Sequence, residues 1–202
     1  MFRLFRLVIK KNSKKGFTLF ELIISMSIVA ILAGISFFGL NAYSDYFSLK
    51  DAVRGIDALA RKAQGYAINI QNVNSGVDSY TGQYGLEFST AYPTEIIFFS
   101  DIDDNEYYNA DNGCSDDECI ERTVLGRGIK IESICYVTIG NSIPICDGER
   151  VDIVYKRPKP DAYIKIDKGD VLSIEKAIVT FSSPKGKKYS VTFGTTGYIS
   201  NE

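Results

Sequence analysis

The sequence predicts an α+β protein. One long N-terminal helix, half of it membrane-spanning and half amphipathic, packs on an antiparallel β-sheet or β-sandwich head. Three observations carry this expectation. Between Phe17 and Leu40 the chain is apolar except for Glu21. From Tyr46 to Ile70 apolar residues recur at spacings of three and four, the period of one buried helix face. From about residue 80 the period changes to two, in short runs rich in Tyr, Phe, Ile and Val.

With 202 residues the chain has room for one domain and a segment of special use. It contains no histidine, which excludes Ser-His-Asp and Cys-His catalysis and two-histidine zinc sites. With no nucleophile motif and no phosphate loop either, nothing supports an enzyme. The formal net charge of −2 conceals an asymmetry. Residues 1–16 carry Arg3, Arg6, Lys10, Lys11, Lys14 and Lys15 and no acid, which leaves the remainder at −8. A basic block before an apolar run sets topology, because Lys and Arg stay on the cytoplasmic side. A secretory signal would place its small cleavage residue after the apolar run, whereas Gly16 stands before it.

The run 17–40 would span about 36 Å as a helix, enough for a bilayer core. A lone carboxylate in such a segment is costly, so Glu21 calls for a positive partner. Residues Lys14-Lys15-Gly16-Phe17-Thr18-Leu19-Phe20-Glu21-Leu22 closely resemble the cleavage and methylation site of type IV prepilins and type II secretion pseudopilins. That resemblance implies cleavage after Gly16 by a prepilin peptidase and methylation of the new Phe17 amine. It also supplies the partner: the Phe17 ammonium of one subunit would pair with Glu21 of its neighbour, setting register in a bundle of pilins or pseudopilins.

Beyond the apolar run, Tyr46, Leu49, Val53, Ile56, Ala60, Ala63, Ala67 and Ile70 form the expected packed stripe. Asp57 and Arg61 sit four apart, a supporting pair. Gly55 and Gly65 each cost about 1 kcal/mol against Ala and mark places for a bend or a break. The segment 72–76, Asn-Val-Asn-Ser-Gly, ends the helix. The expected organisation is therefore a leader over 1–16, a transmembrane and assembly helix over 17–40, an amphipathic helix over 41–72 and a β-rich head over 73–202.

Strands are expected at 84–89, 95–100, 129–137, 150–156, 161–166, 176–182 and 189–193. Turn signals separate them, among them Gly126-Arg127-Gly128, Asp147-Gly148 and Pro184-Lys185-Gly186. Two parts resemble the pseudopilin H family and its minor-pilin relatives: the strand Ile97–Ser100 with its acidic Asx-rich turn, and the closing hairpin Val191–Ile199.

Residues 101–121 hold nine acids and no base, and such a loop should be floppy through self-repulsion. Asp101, Asp103 and Asn105 alternate as calcium ligands do, although Glu106 and Asn112 stand where an EF-hand needs Gly and Glu. The loop thus reads either as a solvated acidic turn or as a calcium site.

The four cysteines lie in the head, which the topology puts in a disulfide-permissive compartment. Sequence-neighbour pairing, Cys114 with Cys119 and Cys135 with Cys146, is the simplest of three connectivities. A four-thiolate zinc site is its rival. Residues 150–188 carry ten bases and five acids. They read as solvated strand edges, or as the phosphate-binding loops of a competence-type, DNA-binding minor pilin. The functional expectation is a minor pilin or pseudopilin, held in inner-membrane lipid until it enters a filament, with DNA uptake as the alternative.

Overall fold

The computed structural model describes residues 16–69, 82–110, 113–114, 117–159, 161–169 and 173–202; inside the helix the side chains of 36–43 are not described. The leader residues 1–15 and the helix-ending segment 72–76 lie outside the described residues. Helix α1 runs Leu19–Asn69 and is followed by ten strands. The chain divides into two units, Met1–Ala42 and Tyr43–Glu202.

In the first unit the helix starts where the sequence provides a cap. Thr18 stands before the first helical residue, and its Oγ1 accepts the Glu21 N–H at 3.3 Å. Ser and Thr hold this position because their oxygen satisfies one of the amides left free at a helix start. The large apolar side chains are open throughout, with Phe17 and Leu19 each 78% exposed and Ile31 63%. The serines of this stretch hide their hydroxyls on the backbone: Ser25 Oγ donates to the Glu21 carbonyl (2.7 Å) and Ser27 Oγ to that of Ile23 (2.8 Å). Among the described residues no helix is long and apolar enough to cross a membrane. The described side chains stop at Ile35, inside the segment on which the sequence places the span.

The second unit is a two-sheet sandwich with the rest of α1 packed into it. The strands are β1 (Gln83–Ser89), β2 (Glu95–Ser100), β3 (Cys119–Val124), β4 (Lys130–Thr138), β5 (Ile145–Gly148), β6 (Arg150–Lys156), β7 (Ala162–Ile166), β8 (Ile174–Ser182), β9 (Lys188–Gly194) and β10 (Ile199–Asn201). The first sheet has the order β3-β2-β1-β6-β7 and the second β10-β9-β8-β4-β5. Every pairing is antiparallel. Leu49, Val53, Ile56, Leu59, Ala60, Ala63 and Ala67 of α1 join the inner faces of both sheets in one core. Of the expected stripe, Tyr46 is 43% exposed and lies outside the core, Ile70 is outside the described residues, and Leu59 is an addition. Gly55 and Gly65 do not break the helix. Both face open space, so their cost is borne without steric need.

Polar contacts fix the helix to the head along its length. Ser183 Oγ donates to Asp45 (2.6 Å), Arg127 to Ser48 Oγ (2.6 Å), Lys62 to Glu121 (2.6 Å) and Gln64 to the Gly197 carbonyl (2.6 Å). Asp57 and Arg61 form the expected pair at 3.2 Å.

The two sheets differ in how they meet solvent. In β8 burial alternates, with Ala177, Val179 and Phe181 inward and the half-buried Ile178 and Thr180 between them. In β1, β2 and β6 nearly every residue is buried on both faces. Leu86, Phe98 and Ile153 share the inner face, while Phe99, Ile97 and Val154 point to an outer face that is also covered. Gly85 permits this, because a Cβ there would meet the Phe99 ring at 2.7 Å. The register opposes Gly85 to Phe99, so the ring lies where that side chain would be.

The seven expected strands are all present, and β10 closes the hairpin that the resemblance placed at Val191–Ile199. β3 and β5 are additional to these. Each is an edge strand, short and half-exposed, with charged residues that suit an edge and break the alternation. The expected turn at Asp147-Gly148 is instead the end of β5, and at Glu149 the chain crosses from the second sheet to the first.

Core truncation should separate the two units. Ile56→Ala should destabilise the head by about 2–5 kcal/mol, as for other buried Ile→Ala changes. Ile31→Ala should leave its melting temperature unchanged. Thermal denaturation of the two variants checks this.

Candidate functional site

Two places in the chain combine chemistry with unusual exposure or burial. The first is the start of α1. Gly16 and Phe17 precede the helix and are exposed, so the peptide bond between them is open to a protease. Glu21 occupies the third helical position, where a carboxylate is favoured by the helix dipole by about 0.3–1 kcal/mol. Thr18 with Glu21 three residues on is the capping-box pattern. Glu21 therefore has a local role beside the intermolecular one that the motif implies.

The second is the loop between β2 and β3, residues 101–118. Strand β2 delivers Asp101 to a fully buried position, where its Oδ1 accepts the Asn105 N–H (3.1 Å) and its Oδ2 the Glu106 N–H (3.0 Å). Glu118, on the returning side, is 3% exposed and does the same for Ile102 (3.0 Å) and Asn109 (3.1 Å). Asp104 and Glu106 take left-handed backbone angles, φ 63° and 68°, a strained region for residues with a Cβ. The staples and the pairing of both side chains with Lys156 Nζ hold them there. Asn105 builds an Asx turn, its Oδ1 accepting the Tyr107 N–H (2.9 Å) and its amide donating to Asp103 and Asn109.

The loop lies over the outer face of the first sheet. Tyr108 is fully buried against Phe99, with ring centroids 5.4 Å apart. The Tyr108 N–H donates to Asp152 (3.1 Å), and Arg150 donates to the carbonyls of Tyr108 and Ala110 and to Asp152. Lys165 pairs with Glu106 at 3.5 Å, and Lys168 donates to the Asn109 carbonyl at 3.1 Å.

The electrostatics follow the geometry. Burial holds the Asp101 carboxyl above its usual range against two amide hydrogen bonds that lower it. Burial raises Glu118 as well, and the charges of Asp103 and Asp101 add to the effect. Hydrogen bonds from Lys156 and Gln83 hold Asp104 below its usual range. For Lys156 burial acts downward, but the bonds to Asp104 and Glu106 outweigh it and raise the value.

Residues 11–37 match the family described as the prokaryotic N-terminal methylation motif. Beyond that motif the chain is similar to fimbrial proteins. It is 37% identical over 84 residues to a fimbrial protein of Moraxella nonliquefaciens, covering 37% of this chain and 53% of that one. It is 33% identical over 115 residues to the type IV major fimbrial protein FimA of Dichelobacter nodosus, covering 52% and 65%. The chain thus spans between about half and two thirds of the length of these curated relatives. No solved structure matches it.

For this pilin-like chain the structure settles several expectations about the head. The cysteines pair as sequence neighbours, Cys114 with Cys119 and Cys135 with Cys146, so no thiolate is left for zinc. The acidic loop, expected to be floppy on its own, is not left on its own: the described parts are held by buried carboxylates, clipped by the Cys114–Cys119 disulfide and paired with Lys156 and Lys165, while Arg150 binds two of its carbonyls. Asp111, Asn112 and Asp116 lie outside the described residues. Of the calcium triad, Asp101 and Asp103 come together, Glu118 joins them in a set of carboxylates within 4.8 Å of one another, and Asn105 lies beside Asp103 at 2.9 Å. Both oxygens of Asp101 and both of Glu118 already accept backbone N–H groups, so these acids serve as loop anchors in their own right. Glu118 and the Arg150–Asp152 pair escaped sequence reading because their partners are remote in sequence. The opposite charge of the segments 101–121 and 150–168 was the available signal.

Asp101→Asn would turn an amide NH2 towards a backbone N–H and leave that donor unpaired in the interior. Denaturant unfolding should show a loss of about 1–3 kcal/mol, whereas Asp103→Asn at the exposed rim should be near neutral. In a carboxyl 13C NMR titration, Asp101 and Glu118 should protonate above 3.8 and 4.5 respectively, and Asp104 below 3.8. The sign has a consequence for stability. Asp101 and Glu118 take up protons more readily folded than unfolded, so their contribution is fullest below their unfolded values and falls away as pH rises through the folded ones; the Asp104 contribution is present above 3.8 and lost as pH falls.

Proposed function

We propose that the chain is the precursor of a filament subunit, a minor pilin or pseudopilin of a type IV pilus-like or type II secretion filament. A prepilin peptidase removes residues 1–16 at the cytoplasmic face, and the amine of Phe17 is methylated. Helix 17–40 resides in inner-membrane lipid with the leader cytoplasmic and the head outside, and then packs among the helices of other pilins or pseudopilins. Glu21 pairs there with the Phe17 amine of a neighbour.

The observation that supports this reading is the coincidence of the methylation motif over 11–37 with a helix that leaves its described large apolar side chains open. The two disulfides agree with a head outside the reducing cytoplasm. The similar proteins are named as fimbrial. Their subtype names do not extend to this chain, so its assignment as minor subunit or pseudopilin rests on the resemblance of the 97–107 and 191–199 segments. A DNA-uptake role draws less support, because Lys156, Lys165 and Lys168 of the basic segment are engaged with the acidic loop.

Intact-mass measurement of the membrane fraction should give a chain beginning at methylated Phe17, and Gly16→Val should leave the precursor uncut. A chain beginning after residue 40 would defeat the reading. Glu21→Leu and Glu21→Gln should both be inserted and cleaved. If charge pairing is what Glu21 supplies, filament incorporation falls in both. If capping is what it supplies, Glu21→Gln restores it.

A further inference from the structure

The exposed aromatic pair Tyr46 and Phe47 has no role in the core of the head and none in the assembly proposed above. They are 43% and 61% exposed, with ring centroids 6.0 Å apart, on the part of α1 that enters the head. Basic residues from three separate stretches surround them. Lys50 and Arg54 lie on the helix, and Lys50 Nζ is 5.9 Å from the Tyr46 ring centre. Arg127, in the turn before β4, donates to Ser48. Phe47, Lys50, Arg54 and Arg127 line one open cavity of about 420 Å³. The β8–β9 turn brings Lys185, Lys187 and Lys188 to the same end. Its Ser183 donates to Asp45, and its Pro184 sits 2.8 Å from where a Cβ on Gly128 would be. Lys130 opposes Ser182 in the sheet beside it. The acids here are Asp45, bound by Ser183, Asp51, which lines the cavity, Glu132, paired with Lys188, and Glu202, whose backbone bonds to Ser190 two residues from Lys188. Seven bases against four acids make this end basic in a segment that carries −8 beyond the leader.

From these positions we infer that this end of the head is a docking surface for anionic phospholipid headgroups. The inference rests on the proposal that residues 17–40 span the membrane. Asp45 follows Leu40 by five residues of sequence, a reach of at most about 18 Å, so the basic ring and the aromatic pair stay within reach of the headgroups. Tyr and other aromatic side chains favour that depth, with an apolar body and a wet edge. A Lys or Arg close to an anionic surface strengthens binding by about fivefold each. The paired acids lower the yield but do not cancel it. Such a surface would seat the head on the membrane before assembly and would be given up when the subunit leaves the bilayer. Duplex DNA offers the same phosphate chemistry, but it explains neither the aromatic pair nor the place of the cluster where the helix emerges.

The chain has no Trp, so Phe47→Trp provides a single probe at an exposed position. The full chain carrying it is reconstituted into phosphatidylcholine vesicles, with or without about one third phosphatidylglycerol, each with a nitroxide-labelled headgroup. The expected result is quenching about twofold or more stronger in the anionic vesicles, lost in molar salt. Lys185→Glu with Lys187→Glu should also remove the difference while the head melts normally. Equal quenching in both vesicles, with the chain still floating with the lipid, overturns the docking surface and leaves the span standing. Failure to float overturns the span and the docking surface with it. If the double variant loses retention of a duplex DNA fragment but keeps its lipid quenching, the partner is nucleic acid and the lipid assignment is wrong.

Discussion

Helix α1 carries two apolar surfaces, and only one is covered within the chain. From Leu49 to Ala67 the stripe is buried in the head. From Phe17 to Ile35 the large side chains stand open, and burying each Leu, Ile or Phe is worth about 1.5–3 kcal/mol. Leaving a dozen such residues in water is costly, and on the function proposed above lipid and then other helices cover them. The remaining features of this segment serve that condition. Ser25 and Ser27 return their hydroxyls to the backbone, Thr18 caps the first turn, and the single carboxylate sits at the helix start, where the dipole favours it.

The head solves a different problem, how to cover a sheet on both faces with a short chain. A loop rather than a second helix covers the outer face of the first sheet. Loops are poor covers because their backbone groups need partners. Here buried carboxylates provide them: Asp101 and Glu118 accept four amides between them, and Asp152 accepts a fifth. Arg150 offsets the charge of Asp152, and Lys156 and Lys165 pair with Asp104 and Glu106 of the same loop. The acidic and basic blocks are thus halves of one structure, and the excess of base in 150–168 is mostly spent inside the head. The bases of the 183–188 turn lie at a different place, beside the emerging helix.

The strands with clear alternation, the helix and the cysteine pairing were legible in the sequence because each depends on near neighbours. The edge strands β3 and β5 were not, since Glu121, Arg122 and Asp147 interrupt the apolar pattern that marks a strand. Tyr46 fits the helical period yet lies beyond the last turn that the sheets cover, so periodicity alone placed it in the core. In the acidic loop, spacing found Asp101, Asp103 and Asn105, whose side chain builds the turn, but not Glu118. Glu118 joins them only because β3 pairs with β2 and brings the chain back.

The central claim is that the open surface of α1 is covered by other pilin-like helices after a period in lipid. A photo-reactive residue in place of Met26, which is 67% exposed, tests it most directly in cells that assemble the filament. The account predicts covalent adducts to another pilin-like subunit, this chain or a companion, that disappear when the leader cannot be removed and give way to lipid adducts alone. Lipid adducts alone in cells with normal processing and assembly would contradict it.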